Sequence, residues 1–247
     1  MQIEKGMTME LKDKTIIITG ASSGIGAAAA LLFAARGANV VLAARREAEL
    51  KTIVGQITQS NGNAIYLAGD VREEAFAKDL VDLAEDEFGG VDGAFNNAGT
   101  TGDMGPIPDM DGGNWHDVMA VNLNSAFYAA KYQVPAMRRR GSGAIVFTSS
   151  FVGHTIGLPG MGAYAAAEAG LIGLTQVLAV ENGAEKIRVN ALLPGGTMTP
   201  MAGDDANFHE VVRGFHALKR MAEPSDYCGA ALSLTSDQDA LVRGSAM

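Results

Sequence analysis

Cysteines, basic residues and long apolar runs are scarce in this 247-residue sequence, and each shortage excludes a class of protein. The single cysteine, Cys228, has no partner for an intrachain disulfide and cannot build a cysteine-based metal cluster. We therefore expect a reducing, cytoplasmic environment and no metal site. No apolar run approaches the roughly 20 residues of a membrane span. Residues 1–13 are polar and lack the apolar segment of a signal peptide.

Basic residues are outnumbered, with 19 Lys and Arg against 28 Asp and Glu, which gives a formal net charge of −9. Nucleic acids and anionic membrane surfaces both require a basic protein face. The balance therefore excludes both as main partners and favours a small-molecule ligand, while it still permits a local basic pocket.

The sequence is nevertheless rich in material for a hydrophobic core. Hydrophobic residues make up 47% of the chain, and a sequence of this length can form one α/β domain. There is no internal repeat and no segment long enough to serve as a linker. We expect a short tail over residues 1–10 and one compact domain over residues 11–247.

Short β-branched runs alternate with helical patterns along the whole chain. Strands are predicted at 15–19, 39–44, 64–68, 91–95, 144–148 and 187–192. Helices are predicted at 27–36, 47–60, 73–88, 115–139, 164–182, 207–218 and 225–233, with a loop over 100–113. This alternation predicts a doubly wound parallel sheet with helices on both faces, which is a Rossmann-like α/β fold. Ligands of such sheets bind beyond the carboxyl ends of the strands. The Gly-rich and polar turns of this chain all follow strands, so we expect them to form one site.

The first of these turns contains Gly20, Gly24 and Gly26, between a strand and a helix. Such glycines permit a tight turn and bring free backbone amides close to an anion at the helix N-terminus. The second strand is followed by Arg45 and Arg46, where an NAD enzyme would place a carboxylate for the ribose hydroxyls. Two guanidinium groups suit a 2′-phosphate, so NADP(H) is predicted over NAD(H). The alternatives are a plain strand-to-helix turn and two solvated arginines.

The stretch from Thr148 to Leu174 carries the predicted chemistry. Ser149 and Ser150 follow an apolar strand, and Tyr164 begins a helix whose first turn is mostly alanine. Residues 164 and 168 are four apart, so they lie on the same face of that helix. A phenol beside a hydroxyl and a nearby charge is suited to general acid–base catalysis. The neighbour here is Glu168, whose negative charge opposes ionisation of the phenol.

Several motifs in order and at characteristic spacing resemble the classical short-chain dehydrogenase/reductase (SDR) family from about Leu11 to Met247. They are Thr19-Gly20-x3-Gly24-x-Gly26, Asp70, Asn96-Asn97-Ala98-Gly99, Asn122, Ser150, Tyr164 and Pro194-Gly195. The resemblance implies hydride transfer between a nicotinamide cofactor and a carbonyl or alcohol substrate. It also implies a homo-oligomer, either a tetramer or a dimer.

The resemblance further implies roles for individual residues. Tyr164 would be the general acid/base, Ser150 would bind the substrate oxygen and Asn122 would hold a relay water. The cofactor would contact five groups of residues: Gly20, Ser22, Ser23, Gly24, Ile25 and Gly26; Arg45 and Arg46; Asp70 and Val71; Asn97, Ala98 and Gly99; and Pro194, Gly195, Thr197 and Thr199. Structural alternatives are that residues 96–99 only stabilise the sheet, that Asn122 makes a helix-interior hydrogen bond, and that Ser149 replaces Ser150.

The chain departs from the family at two places. Glu168 occupies the position of a lysine that binds the nicotinamide ribose and favours the tyrosinate. A unit charge about 5 Å away, at an effective dielectric near 20, acts on the phenol by ~3 kcal/mol, or roughly two pKa units. We therefore expect reduced or absent dehydrogenase activity. The alternatives are a non-catalytic NADP-binding or regulatory protein and a structural subunit.

The second departure concerns residues 241–247, which resemble the entry to the family's last strand. In the family that strand continues through several apolar residues, and the printed sequence ends before them. The sequence alone therefore leaves open whether a seventh strand and its subunit contacts form.

Overall fold

The computed structural model describes residues 9–237 and 241–247. Most of the predicted tail, residues 1–8, lies outside this range. Glu10, the last residue of the predicted tail, forms an ion pair with Arg36 at 2.8 Å. The neighbouring Leu11 amide donates a hydrogen bond to the Arg36 carbonyl at 3.1 Å. The chain is therefore attached to the domain from at least residue 10 onwards.

Six parallel strands form one sheet: β1 (Thr15–Thr19), β2 (Asn39–Ala44), β3 (Asn63–Ala68), β4 (Gly93–Asn96), β5 (Gly143–Thr148) and β6 (Ile187–Leu192). The strand order is β3-β2-β1-β4-β5-β6. All five described pairings are parallel, so the doubly wound parallel fold predicted from the sequence is confirmed. The order reverses direction between β1 and β4, and a crevice opens at such a switch point.

Eight α-helices connect and cover the strands: α1 (Gly24–Ala35), α2 (Glu47–Gln59), α3 (Glu74–Phe88), α4 (Gly112–Met119), α5 (Ser125–Arg140), α6 (Gly162–Asn182), α7 (Ala206–Phe215) and α8 (Pro224–Thr235). One buried cluster packs α1, α2 and α8 against one face of the sheet. A second cluster packs α3, α5 and α6 against the opposite face. The apolar strands are buried on both faces, which explains their nearly continuous hydrophobic runs.

Several helix bounds differ from the prediction: α1 begins at Gly24 rather than 27, and α7 ends at Phe215 rather than 218. The helix predicted at 115–139 begins earlier, at Gly112, where the Asp111 side chain accepts a hydrogen bond from the Asn114 amide at 3.2 Å. It is interrupted by a π-helical segment, Ala120–Asn124. The helix predicted to begin at Tyr164 begins at Gly162, so Tyr164 lies within its first turn. Pattern alone does not resolve these ends, since capping depends on contacts with neighbouring loops.

The expectation about apolar runs also needs correction. Residues Gly162–Glu185 are long and apolar enough, by length and composition only, to cross a membrane. In this structure α6 packs against β6 and buries Ala167, Leu171 and Ile172. A core helix of a doubly wound domain satisfies the same criteria.

The last residues run alongside β6. The Ala191 amide donates to the Ser245 carbonyl at 2.8 Å, and the Met247 amide donates to the Ala191 carbonyl at 3.0 Å. Ala191 and Ala246 form a parallel bridge. These residues therefore lie at the edge of the sheet in the position of a seventh strand, joined to β6 by one parallel bridge, while the subunit contacts of such a strand stay a prediction.

Candidate active site

One large cavity lies at the carboxyl ends of the strands, with a volume of about 580 Å³. It is lined by residues predicted from the sequence in the segments that follow all six strands: Gly20, Ser22, Ser23, Gly24, Ile25, Arg45, Arg46, Asp70, Val71, Asn97, Ala98, Gly99, Ser150, Tyr164, Glu168, Pro194, Gly195, Thr197 and Thr199. Register explains the convergence, because Thr19 pairs with Asn96 and Asn96 pairs with Phe147. Two predicted site residues, Gly26 and Asn122, do not line this cavity.

The glycine-rich turn brings backbone against backbone at the switch point. Gly20 has a φ of +66°, and a Cβ there would lie 2.9 Å from the Cα of Ala98. A Cβ on Gly26 would lie 2.4 Å from the Gly20 carbonyl oxygen. Gly26 therefore permits close packing of the turn rather than contact with a ligand. A Cβ on Gly24 would approach Thr199 to 3.0 Å across the cavity.

The N-terminus of α1 is not capped by a side chain. Ser23 occupies the N-cap position, but its hydroxyl makes no cap hydrogen bond. That hydroxyl instead accepts a hydrogen bond from Nη2 of Arg46 at 2.7 Å, and the same atom donates to the Ser22 hydroxyl at 2.9 Å. The side chain therefore leaves the first-turn amides uncapped beside a guanidinium group, an arrangement that attracts anions.

The ends of β2 and β3 place further charged groups in the same part of the cavity. Arg72 forms an ion pair with Asp70 at 2.8 Å and a second with Asp117 at 3.0 Å. Hydrogen bonds from Arg72 hold the pKa of the Asp70 carboxyl below its usual range, and nearby Arg45 contributes in the same direction. Arg72 was not predicted as a site residue. Its position two residues after Asp70 was the available sequence signal.

Residues 96–99 both connect the strands and line the cavity. The Asn97 and Ala98 amides donate to the Thr19 hydroxyl at 3.0 and 3.1 Å, which joins β1 to the end of β4. Asn96 is buried and exchanges two amide hydrogen bonds with Gln133. Asn96 therefore only stabilises the sheet, as the structural alternative predicted for residues 96–99. Asn97, Ala98 and Gly99 also line the cavity.

Ser150 and Tyr164 share the wall of the cavity beyond β5. The Ser149 hydroxyl donates to the Glu168 backbone carbonyl at 3.1 Å, so it is engaged in holding α6. The Ser150 hydroxyl accepts from the Val152 amide at 3.1 Å and retains its own proton for another acceptor. Of the two serines, Ser150 is therefore the one free to interact with the phenol or with a substrate oxygen.

Asn122 lies in the π-helical segment, behind the cavity wall. Its Oδ1 accepts from the Thr100 amide at 2.9 Å, and its Nδ2 donates to the Thr100 carbonyl at 3.0 Å. The same Nδ2 donates to Oε1 of Glu168 at 2.8 Å. The side chain therefore positions both a loop at the cavity mouth and the carboxyl group of Glu168. π-helical segments are frequent at functional sites.

Glu168 is only 3% exposed, and its second carboxyl oxygen, Oε2, is buried without a hydrogen-bond partner. Burial raises the pKa of Glu168 to about 7, although the hydrogen bond from Asn122 acts in the opposite direction. Burial also raises the pKa of Tyr164 well above its usual value, and the charge of Glu168 adds to the rise. A hydrogen bond with the Ser150 side chain acts in the opposite direction and lowers the pKa of Tyr164. The site thus contains two acids that both resist ionisation.

Two side chains that sequence reasoning did not assign to the site hold the turn after β6. The Gly195 amide donates to the Tyr227 hydroxyl and the Gly196 amide donates to Nε2 of His216, both at 2.9 Å. A Cβ on Gly195 would lie 2.6 Å from the His216 ring. Neither contact has a sequence signature, because 32 and 20 residues separate the partners.

The end of the cavity beside Tyr164 is mainly apolar. Its walls come from the loop after β5 and from the segment around α7, and include Leu158, Met161, Met201, Phe208 and Val212. His154, in the loop after β5, is exposed and does not line the cavity. No cluster of three or more His, Cys, Asp or Glu side chains suited to a metal ion occurs in residues 9–237 and 241–247.

Comparison with known proteins identifies the family. The family model described as enoyl-(acyl carrier protein) reductase matches residues 20–247. The chain is 38% identical, over 96% of both proteins, to 2,5-dichloro-2,5-cyclohexadiene-1,4-diol dehydrogenase of Sphingobium indicum. It is 35% identical to cyclohexanol dehydrogenase of an Acinetobacter species, over 98% of this chain and 96% of that one.

Solved structures agree with the sequence relatives. A short-chain type dehydrogenase/reductase from Mycobacterium marinum superposes with a TM-score of 0.93 at 32% identity, over 97% of this chain and 94% of that one. The strand order, the cavity at the strand ends and these full-length similarities lead to one conclusion. The chain belongs to the classical short-chain dehydrogenase/reductase family of oxidoreductases.

Proposed function

We propose that the chain is an NADP(H)-dependent oxidoreductase that interconverts a cyclic alcohol and its carbonyl compound, with Tyr164 as general acid/base. The observation that carries this proposal is a single cavity shared by the Ser150–Tyr164 pair and the glycine-rich turn of β1. A proton donor and a dinucleotide cradle in one cavity are the two requirements of hydride-transfer chemistry on a carbonyl group.

The residues at the switch point fit a dinucleotide. Gly20 allows the tight turn against Ala98, a Cβ on Gly24 would point toward Thr199, and the α1 amides have no side-chain cap. Backbone N–H groups at such a helix terminus would hold the diphosphate, while Asp70 and Val71 would line the adenine side. The bound nicotinamide would supply or accept the hydride.

Preference for NADP(H) is supported by Arg45 and Arg46, which line the cavity at the end of β2. The fork of Arg46 already binds the Ser22 and Ser23 hydroxyls. A 2′-phosphate at this point would meet two guanidinium groups and two hydroxyls, which are groups suited to phosphate oxygens.

A cyclic and mainly apolar substrate is supported by the walls formed by Leu158, Met161 and Phe208. The printed names of the relatives, a cyclohexadienediol dehydrogenase and a cyclohexanol dehydrogenase, agree with this class. In the reductive direction Tyr164 would give its proton to the substrate oxygen, which Ser150 would hold.

Slow turnover is part of the proposal. Removing a proton from Tyr164 is disfavoured by burial and by Glu168. Oxidation of an alcohol requires the phenolate as base, so it would suffer more than reduction, in which the phenol donates. Asn122 would orient Glu168 and the loop that begins at Thr100, with any relay water next to it.

We also propose a cytoplasmic homo-oligomer, a dimer or a tetramer. Phe127 on α5 and Val177 and Val180 on α6 are exposed apolar side chains on neighbouring helices. Burial of such side chains against a second copy would remove apolar surface from water. Sedimentation analysis of the full chain tests this assembly.

The function is tested by two measurements on the purified protein. Fluorescence titration should show that NADPH binds. The wild-type protein should reduce a cyclic ketone, and the Tyr164→Phe variant should not. Binding without reduction of any member of a carbonyl panel would favour the non-catalytic NADP-binding alternative, which Glu168 specifically supports. Absence of binding would instead favour a structural subunit.

A further inference from the structure

The basic side chains that line the cavity are confined to one end, where Asp70 also lies. Its three arginines, Arg45, Arg46 and Arg72, follow β2 and β3 at the nucleotide end. Among the described residues, every charged side chain that segments after β4 contribute to the wall is acidic, namely Asp103, Asp117 and Glu168. Asp117 is paired with Arg72, so the negative charge beside Tyr164 rests on Glu168, and no basic side chain of the described residues lines that part of the wall.

Glu168 is the group of this set that lies next to the predicted reacting atoms. It is one helical turn from Tyr164 on α6, and its charge acts on the phenol. Only one of its carboxyl oxygens is satisfied, by Asn122, and the other is buried without a partner. Because that oxygen has no accessible surface, Glu168 would act on a bound cation through its charge rather than by direct contact, and its own unpaired burial is costly.

This charge has opposite effects on two related reductions. When hydride adds to a ketone, negative charge develops on oxygen, and a neighbouring carboxylate opposes that development. A cyclic iminium ion carries positive charge on its C=N group from the start. Hydride then adds to the carbon, the π electron pair moves to nitrogen, and the product is a neutral amine. An N-alkylated iminium requires no proton in this step.

We infer that the site accepts cyclic iminium cations, and in reverse cyclic amines, in preference to ketones of the same size. This inference rests on the proposed function for its hydride source, reduced NADP. The inference adds a role for Glu168 in substrate choice. Its negative charge would attract a cationic C=N group into the apolar pocket, in addition to slowing the oxidation of alcohols.

The experiment compares kcat/KM for an N-methylated dihydroisoquinolinium ion and for tetralone, each with NADPH and with the enzyme-free rate subtracted. A full unit charge at close range could change the ratio of the two kcat/KM values by up to about 100-fold. We expect wild type to favour the iminium by about tenfold or more. Glu168→Lys should reverse the preference, and Glu168→Gln should reduce it at least about threefold. Glu181→Lys makes the same charge change at an exposed position of α6 and should leave the ratio unchanged.

Tyr164→Phe supplies a separate readout. It should retain iminium reduction while it loses tetralone reduction, because only the ketone needs a proton. A wild-type ratio of one or less overturns the inference, as does an unchanged ratio in folded Glu168→Gln. If Glu168→Lys reduces tetralone and wild type reduces neither compound, the inference fails but the proposed function stands. If no variant reduces either compound, both fail.

Discussion

Replacement of Glu168 by lysine should accelerate alcohol oxidation by this protein. In the wild type the proton acceptor, Tyr164, has a pKa that burial and the Glu168 charge raise well above its usual value. Glu168 is buried one turn away, and its Oε1 accepts a hydrogen bond from Asn122. An ammonium group at the same position would stabilise the phenolate that the carboxylate destabilises.

The size of the effect follows from Coulomb's law. At the 5–6 Å between i and i+4 side chains, and an effective dielectric near 20, a unit charge is worth ~3 kcal/mol, or roughly two pKa units. Reversal of a full charge would thus change the phenol pKa by at most about four units. Because the pKa of Glu168 is itself raised to about 7, its carboxyl is partly neutral near pH 7 and the realised change is nearer ~3 units. A change of ~3 units raises the phenolate fraction by up to about 1,000-fold, and because the more acidic phenol is also a weaker base, oxidation should accelerate on the order of 100-fold.

The assay is the pH dependence of kcat for oxidation of a cyclic alcohol with saturating NADP. The rates should rank Glu168→Lys above Glu168→Gln above wild type, and the basic limb should move to lower pH in the same order. Glu181→Lys is the matched control. The electrostatic reasoning is refuted if Glu168→Lys folds and binds NADPH, yet oxidises the alcohol no faster than wild type and with an unmoved pH profile.

Three further predictions concern stability and cofactor binding. Burial raises the Glu168 pKa from 4.5 to about 7, so the unfolded chain loses this proton first, and stability should fall by about 3 kcal/mol as pH rises from 4.5 to 7. Urea unfolding of Glu168→Gln should lack that decline, and an identical decline would contradict the assignment. Arg46→Ala should weaken NADPH about tenfold and leave NADH nearly unchanged in fluorescence titrations, whereas equal losses would exclude a 2′-phosphate contact. Tyr227→Phe removes the acceptor of the Gly195 amide and should raise the NADPH dissociation constant about fivefold or more, while Tyr66→Phe, which removes an exposed hydrogen bond to Glu47, should not.

The sequence predicted the layers of the fold because its signals are local. Each buried strand is a short β-branched run, and a strand such as β2 was located to the residue. Turns after parallel strands must lie at one edge of the sheet, so the grouping of Gly20, Asp70 and Pro194 around one cavity could also be expected. Their roles toward a cofactor stay predictions.

What the sequence did not predict depends on long-range contacts or on desolvation. The π-helical segment around Asn122 follows from packing rather than from pattern. The bonds from Gly195 to Tyr227 and from Gly196 to His216 join distant segments. The charge of Glu168 was treated as complete, yet burial leaves its pKa near neutrality. Residue type indicates an acid, whereas only its surroundings determine when it ionises.

The Asn122 amide has a consequence for motion. One terminal group holds the amide and the carbonyl of Thr100 together with the Glu168 carboxyl. Rotation of this amide would break all three bonds at once, so the catalytic helix and the start of the loop at the cavity mouth are mechanically coupled. A change of ionisation at Glu168 alters the strength of one of these bonds and thereby the freedom of the loop. The rate of hydrogen exchange at the Thr100 amide should therefore depend on the protonation state of the buried Glu168 carboxyl, even when no substrate is present.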